Sequence, residues 1–128
     1  MSERYRLLIV DDDPDMLRNL ALMLSLEGYS IMTASSGVAA CILLTEHTFD
    51  VVITDLRMPI VDGFEIVRRT QDLLPKAGII VTSRYIDDET RVWLSGQHGV
   101  CGLEKPYNIL QMSSILRDFQ LQQPLPSI

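Results

Sequence analysis

The chain alternates short apolar runs with stretches of helical period. Leu7-Leu8-Ile9-Val10, Val51-Val52-Ile53 and Ile79-Ile80-Val81 are near-continuous apolar runs, as expected of strands covered on both faces. The first of these strands is predicted over Tyr5–Val10. Asp13-Pro14 then reads as an N-cap followed by proline at the first helical position. Leu17, Leu20, Ala21 and Leu24 fall on one helical face, and Gly28 stops that helix. Tyr29–Ala34 is predicted as a second strand. Ser35-Ser36 introduces a short helix from Val38 to about Glu46 that is apolar nearly all round. The third strand ends at Thr54-Asp55. A loop with Pro59 and Asp62-Gly63 leads into a helix from Phe64 to about Leu74, closed by Pro75. After the fourth strand, Asp87 caps a helix to about Gln97, with Gly96 weakening its end. Val100–Leu103 is expected as a fifth strand. Pro106 is expected to open a last helix carrying Ile109, Met112, Leu116 and Phe119 on one side. The Gln- and Pro-rich stretch Gln120–Ile128 is expected to be a frayed end or a linker.

Five strand–helix units in a row predict an α/β class: a doubly wound (βα)5 domain with a five-stranded parallel sheet, flavodoxin-like in topology. In such sheets the working groups lie just beyond the carboxyl ends of the strands. The first strand ends in Asp11-Asp12-Asp13, the third in Asp55, the fourth in Thr82-Ser83, and the fifth runs into Lys105-Pro106. Right-handed crossovers bring these ends side by side.

Taken singly, each feature has an ordinary explanation. Acidic residues favour helix N-termini, Asp is a common turn residue, and Thr suits a strand. Jointly they crowd three carboxylates, Asp11, Asp12 and Asp55, which is unfavourable without compensation. A divalent cation and the Lys105 ammonium together neutralise them. Hard oxygen donors with few protein ligands suit Mg²⁺, which retains waters and favours a phosphate partner. A carboxylate held there can attack phosphorus to give an acyl phosphate. Lys105 and the Thr82 hydroxyl would then meet the phosphoryl oxygens. The residue types fit phosphoryl transfer to an aspartate.

Composition narrows the partners. With 128 residues the chain is one domain's worth, able to bury about two-thirds of its unfolded surface. Eleven Lys+Arg against 17 Asp+Glu, a net charge of -6, argue against nucleic-acid binding driven by overall charge. The densest basic pair is Arg68-Arg69. Leu7–Val10 is too short for a signal-peptide core, and the uncharged stretch Gly28–Thr45 is too interrupted to span a membrane. Cys41 and Cys101 fit no ligand spacing and read as buried, reduced thiols of a cytoplasmic protein. His47 and His98 read as surface residues rather than ligands.

The motifs Leu8-Ile9-Val10-Asp11-Asp12-Asp13, Val51-Val52-Ile53-Thr54-Asp55-Leu56-Arg57-Met58-Pro59, Asp62-Gly63, Thr82-Ser83 and Lys105-Pro106-Tyr107 resemble the receiver domain of bacterial two-component response regulators. The resemblance covers about Arg4 to Phe119, giving a receiver domain over 4–120. Residues 121–128 are then a tail or the start of a linker to an output domain. The resemblance implies that Asp55 accepts a phosphoryl group from the phosphohistidine of a sensor histidine kinase or phosphotransfer protein. It implies that Mg²⁺ is held by Asp11, Asp12, Asp55 and the backbone carbonyl of Arg57, with Lys105 and Thr82 on the phosphoryl oxygens. It implies a switch that assists its own phosphorylation and dephosphorylation without being an independent turnover enzyme. It also implies a partner or homodimer face on the fourth helix, fifth strand and fifth helix.

The stretch Gly99–Lys105 is one residue short for that family, and the segment from Thr82 to Gly99 is longer. Gly102 stands where an aromatic ring usually turns inward as Thr moves to the phosphate, which predicts an altered switch with Tyr85 or Trp93 as substitutes. Arg57 and Arg84 occupy the variable positions flanking the site, and two cations there predict slow hydrolysis of the aspartyl phosphate. Val92-Trp93-Leu94 are three consecutive apolar residues that cannot all face inward from one helix. Three other readings stay open. A haloacid-dehalogenase-type phosphatase would need an acid where Arg57 stands, and a flavodoxin-like cofactor binder lacks its phosphate loop. A docking module without phosphotransfer is kept open by Gly102.

Overall fold

The computed structural model describes residues 4–123. Its elements are β1 (Arg6–Val10), α1 (Pro14–Leu26), β2 (Ser30–Ala34), α2 (Gly37–Glu46), β3 (Val51–Asp55), α3 (Gly63–Leu73), β4 (Gly78–Ser83), α4 (Asp88–Ser95), β5 (Val100–Glu104) and α5 (Ile109–Gln122). All strands are parallel, in the order β2-β1-β3-β4-β5. The order reverses between β1 and β3, so the loops after these strands diverge and leave a crevice at their carboxyl ends.

Both faces of the sheet are covered, as the continuous apolar runs predict. Leu7 and Ile9 of β1 pack with Leu17, Leu20 and Leu24 of α1 and with Met112 and Leu116 of α5. Leu8 and Val10, pointing the other way, pack with Ala40 and Leu44 of α2 and Ile66 of α3. A third cluster joins Leu56 and Val67 to Ile79 and Val81 of β4, with Trp93 and Leu94 of α4 against it. β3 and β4 are buried along their whole length, whereas the edge strand β5 is only half-buried.

The helix starts follow the polar residues before them. Asp13, Ser36, Asp62 and Asp87 each accept a backbone N–H from the first turn of the helix they precede. The start of α5 differs from expectation. Pro106 does not open it; Asn108 does, through a reciprocal capping box with Gln111. Pro106 lies in the connection, after a cis Lys105–Pro106 bond. The end of α5 differs too: Gln120 and Leu121 are helical rather than frayed. Tyr29 Oη–H donates to Gln120 Oε1 at 3.0 Å and Tyr5 Oη–H to the Gln123 carbonyl at 2.9 Å, tying the last turn to the sheet. The remaining expected tail, 124–128, lies outside the described residues. α4 stops at Ser95, with Gly96 as its C-cap, two residues before the expected end. Cys41 and Cys101 are free, as expected, but half-buried rather than buried.

The β3–α3 loop is held against the sheet by one close approach. A Cβ on Gly63 would stand 2.4 Å from the Asp55 carbonyl oxygen, so only glycine lets α3 begin there. Ahead of it Ile60 has φ 70°, a left-handed conformation in which a β-branched side chain is strained. The Val61 N–H donates back to the Pro59 carbonyl at 2.8 Å, closing a three-residue turn around Ile60. Its side chain is 94% exposed and recovers nothing by burial. Ile60→Gly is therefore expected to raise the unfolding free energy by about 1 kcal/mol. Urea denaturation reads this directly, and an unchanged or lower midpoint would contradict the strained turn.

Candidate phosphoacceptor site

Backbone ladders carry past the strand ends and fix the carboxyl edge. The Asp11 N–H donates to the Ala34 carbonyl at 3.2 Å, the Leu56 N–H to the Thr82 carbonyl at 2.9 Å, and the Lys105 N–H to the Ser83 carbonyl at 2.7 Å. Three side chains from distant parts of the chain thereby meet. Lys105 Nζ donates to Asp11 Oδ2 at 3.0 Å and lies 3.5 Å from Asp55 Oδ2. All three side chains are nearly buried. The other Asp11 oxygen accepts the Asp13 N–H at 2.9 Å, which orients the carboxylate. Asp12 stands exposed at the rim.

The electrostatics follow from this crowding. Burial pushes the Asp55 carboxyl above its ordinary value; Lys105 pulls it down, and the Asp11 and Asp12 carboxylates push it up again. Beside them Tyr107 is driven up to about 12, by burial first and then by Asp11 and Asp55, so its phenol stays neutral and able to donate. One ammonium against three carboxylates leaves the cluster net negative. Asp11, Asp12 and Asp55 each offer an oxygen, all within 4.8 Å of one another. Such a hard, anionic oxygen set fits a divalent cation of the Mg²⁺ class, which completes its shell with water.

The cluster floors an open cleft of about 710 Å³. Arg57, Ser83, Arg84 and Tyr85 form part of its wall, and Met16 and Pro106 are also at its surface. Of the residues expected here, Asp11, Asp12, Asp55, Arg57 and Lys105 line the cleft, with Arg84 flanking it. Thr82 sits directly across from Asp55 in the β3–β4 register but is 2% exposed. Ser83, one residue on and just as buried, is the one of the two that lines the wall, its hydroxyl donating to the Tyr85 carbonyl at 3.1 Å. Sequence reasoning gave Ser83, Met16 and Tyr107 no role. The adjacency of Tyr107 to Lys105-Pro106 was the available signal, while nothing along the chain singles out Met16.

The two proposed substitutes for the missing aromatic lie apart. Tyr85 is exposed at the cleft wall, and Trp93 packs edge-on against Phe64 with centroids 4.9 Å apart. The space a side chain at Gly102 would enter is already filled: its Cβ would lie 2.7 Å from Leu94 Cδ1 and 3.3 Å from Ile86 Cδ1. His98 is exposed and His47 half-buried, its ring 6.3 Å from that of Phe49.

With this fold and cleft in place, comparison with known proteins gives one consistent result. The family model described as the response regulator receiver domain matches residues 7–117. The chain belongs to that family, which is not one of ordinary turnover enzymes. It is 33% identical to the transcriptional regulatory protein KdpE of Mycobacterium tuberculosis over 110 residues, 86% of this chain and 48% of KdpE. It is also similar to a response regulator receiver domain protein from Clostridium thermocellum (TM-score 0.83, 27% identity, 93% of this chain and 96% of that one). The Thermotoga maritima response regulator TrrA, solved in complex with Mg²⁺-BeF, superimposes with a TM-score of 0.79 at 29% identity over 90% of this chain and 98% of that one. The chain spans about half the length of KdpE. Among the described residues no helix is long and apolar enough to cross a membrane.

The raised Asp55 carboxyl has a consequence for stability. The native state binds that proton more tightly than the unfolded chain does, so stability falls as pH rises from the ordinary carboxylate value, about 3.9, through the raised one. Above that window the ionised Asp55 is a standing cost. In metal-free buffer at pH 7, Asp55→Asn is expected to be more stable than wild type by about 1 kcal/mol, an ordinary single-site effect. The difference should disappear below the ordinary carboxylate value. Equal stability at both pH values in chemical denaturation would contradict the crowded-cluster account.

Proposed function

We propose that this chain is a phosphoacceptor switch in which Asp55 takes a phosphoryl group from the phosphohistidine of a sensor histidine kinase or phosphotransfer protein. The observation that carries this reading is the single Lys105 ammonium bridging Asp11 and Asp55 at the floor of an open cleft. In the transfer an Asp55 carboxylate oxygen bonds to phosphorus as the phosphorus–nitrogen bond of the donor breaks. That electron pair returns to the imidazole. Asp11, Asp12, Asp55 and the Arg57 carbonyl would hold Mg²⁺, which when bound supplies positive charge against the phosphoryl oxygens.

The protein's own groups do the rest. Lys105 exchanges its contact with Asp55 for one with a phosphoryl oxygen, a charge-assisted hydrogen bond available without rebuilding the site. Thr82, across from Asp55 in the sheet, turns its hydroxyl to a second oxygen. Arg57 and Arg84 stand at the cleft wall, where a guanidinium screens phosphorus from water and slows hydrolysis. The unit acts in the cytoplasm as a receiver domain over 4–120, handing its state to a partner or a second copy through α4, β5 and α5. It binds no nucleic acid itself.

Intact mass after incubation with acetyl phosphate and Mg²⁺ tests this reading. Wild type is expected to gain about 80 Da, one phosphoryl group, and Asp55→Ala nothing. The gained mass should decay faster in Arg57→Ala and Arg84→Ala. No gain in wild type from acetyl phosphate or from a phosphorylated kinase would leave the docking-module reading in its place.

A further inference from the structure

Three side chains connect the wall of the cleft to the middle of α4. The Arg57 guanidinium lies over the Phe64 ring, 5.6 Å from its centroid. Phe64, at the start of α3, meets Trp93 of α4 edge to face, with centroids 4.9 Å apart and planes at 65°. The hydrogen bonds from Thr90 hold the carboxyl of Asp87, the N-cap of α4, below its ordinary value, and the positive charge of Arg57 adds to this.

On its other side, α4 packs closely on β5. β5 offers no side chain at Gly102, and Leu94 and Ile86 fill the space there. Ile86 is 5% exposed, and its N–H donates to Glu104 Oε1 at 2.9 Å, fastening the β4–α4 loop to the end of β5. Arg91 of α4 adds an exposed ion pair to Glu104 Oε2 at 3.7 Å, so α4 is held to β5 by packing and polar contacts, with no aromatic side chain at Gly102 to couple it to the site.

We propose that Arg57, Phe64 and Trp93 form the contact chain through which phosphorylation of Asp55 repositions α4. The inference rests on the phosphoacceptor reading above. A phosphoryl group on Asp55 is close to dianionic. Arg57, two residues along and already at the cleft wall, pairs with its oxygens through two charge-assisted hydrogen bonds. A guanidinium so engaged leaves the Phe64 face, where it held only an exposed cation–π contact. Phe64 then loses the cation that covers its ring, Asp87 loses its cationic neighbour, and the seating of Trp93 changes. A ligand moves an equilibrium only by contacting two states differently. Here the difference is the choice Arg57 makes between an aromatic face and a dianion. Partner binding at α4 is thereby tied to Asp55 through α3 rather than through an aromatic side chain on β5.

Trp93 is the only tryptophan in the chain, so its emission reports on this contact. Emission and intact mass are read on the same sample, with and without a phosphodonor and Mg²⁺, for wild type, Phe64→Leu and Arg57→Met. Wild type is expected to change emission in proportion to its phosphorylated fraction. Phe64→Leu should be phosphorylated to the same extent with the change lost. Arg57→Met, altered at an exposed side chain, should lose the change per phosphorylated molecule whatever its own extent of phosphorylation. Phosphorylated wild type with unaltered emission, or Phe64→Leu with the full change, overturns the contact chain and leaves the receiver reading intact. If wild type takes no phosphoryl group from acetyl phosphate or a phosphohistidine donor, the underlying reading fails and the contact chain falls with it.

Discussion

Asp11 and Asp55 are held against one lysine ammonium at the carboxyl edge of the sheet, with Asp12 at the rim beside them, and much of the architecture serves that arrangement. Like charges do not gather unless the backbone compels them. The compulsion comes from strand order: β1, β3 and β4 are consecutive neighbours, and β5 closes the row with Lys105 just beyond its end. Ladder bonds past the strand ends remove the slack that would let the carboxylates separate. The Gly63 approach to the Asp55 carbonyl pins the following loop, so Asp55 cannot withdraw toward solvent. The apolar clusters on both faces of the sheet supply the stability against which this local cost is set. A site kept net negative is poised for cations.

Much of this was legible in the sequence because it rests on short-range rules. Continuous apolar runs marked strands covered on both faces, and Asp13, Ser36 and Asp87 marked helix starts through their own hydrogen-bonding capacity. The site was legible because a parallel sheet gathers strand ends, so residues far apart in sequence could be placed together before any coordinates. What stayed hidden depended on packing between distant segments. Pro106 suits a first helical turn, but Asn108 and Gln111 satisfy two backbone groups reciprocally and so claim the helix start. The Gln-rich end of α5 has no apolar period of its own. It is ordered by hydrogen bonds from Tyr5 and Tyr29, residues more than ninety positions away. The filling of the space at Gly102 by Leu94 and Ile86 could not be read from a glycine.

Gly102 gives this receiver its particular character. A side chain at that position would press on Leu94; its absence lets α4 settle onto β5, and the β4–α4 loop is latched there by Glu104. Val92, on the same helix, is 71% exposed, while Trp93 and Leu94 beside it are half-buried, so the three consecutive apolar residues divide between packing and solvent. The helix is held on its β5 side by packing and the Arg91–Glu104 ion pair, and on its α3 side by Trp93 against Phe64, whose ring also meets the Arg57 guanidinium. Arg57, on the loop after β3, and Trp93, on α4, are thus linked by side-chain contacts through Phe64.

The central claim is that the carboxylate cluster is a cation site whose charge the protein leaves unbalanced on its own. Thermal unfolding across an Mg²⁺ titration tests it most directly, with Asp12→Asn as the comparison, since Asp12 is exposed and its loss removes a donor without opening the core. Wild type is expected to show a stabilisation that rises with the logarithm of Mg²⁺ concentration above the dissociation constant, reaching about 2.7 kcal/mol at a hundredfold excess over it, and Asp12→Asn should need far more Mg²⁺ for the same gain. Stabilisation that is absent, or identical in the two proteins, would contradict the account.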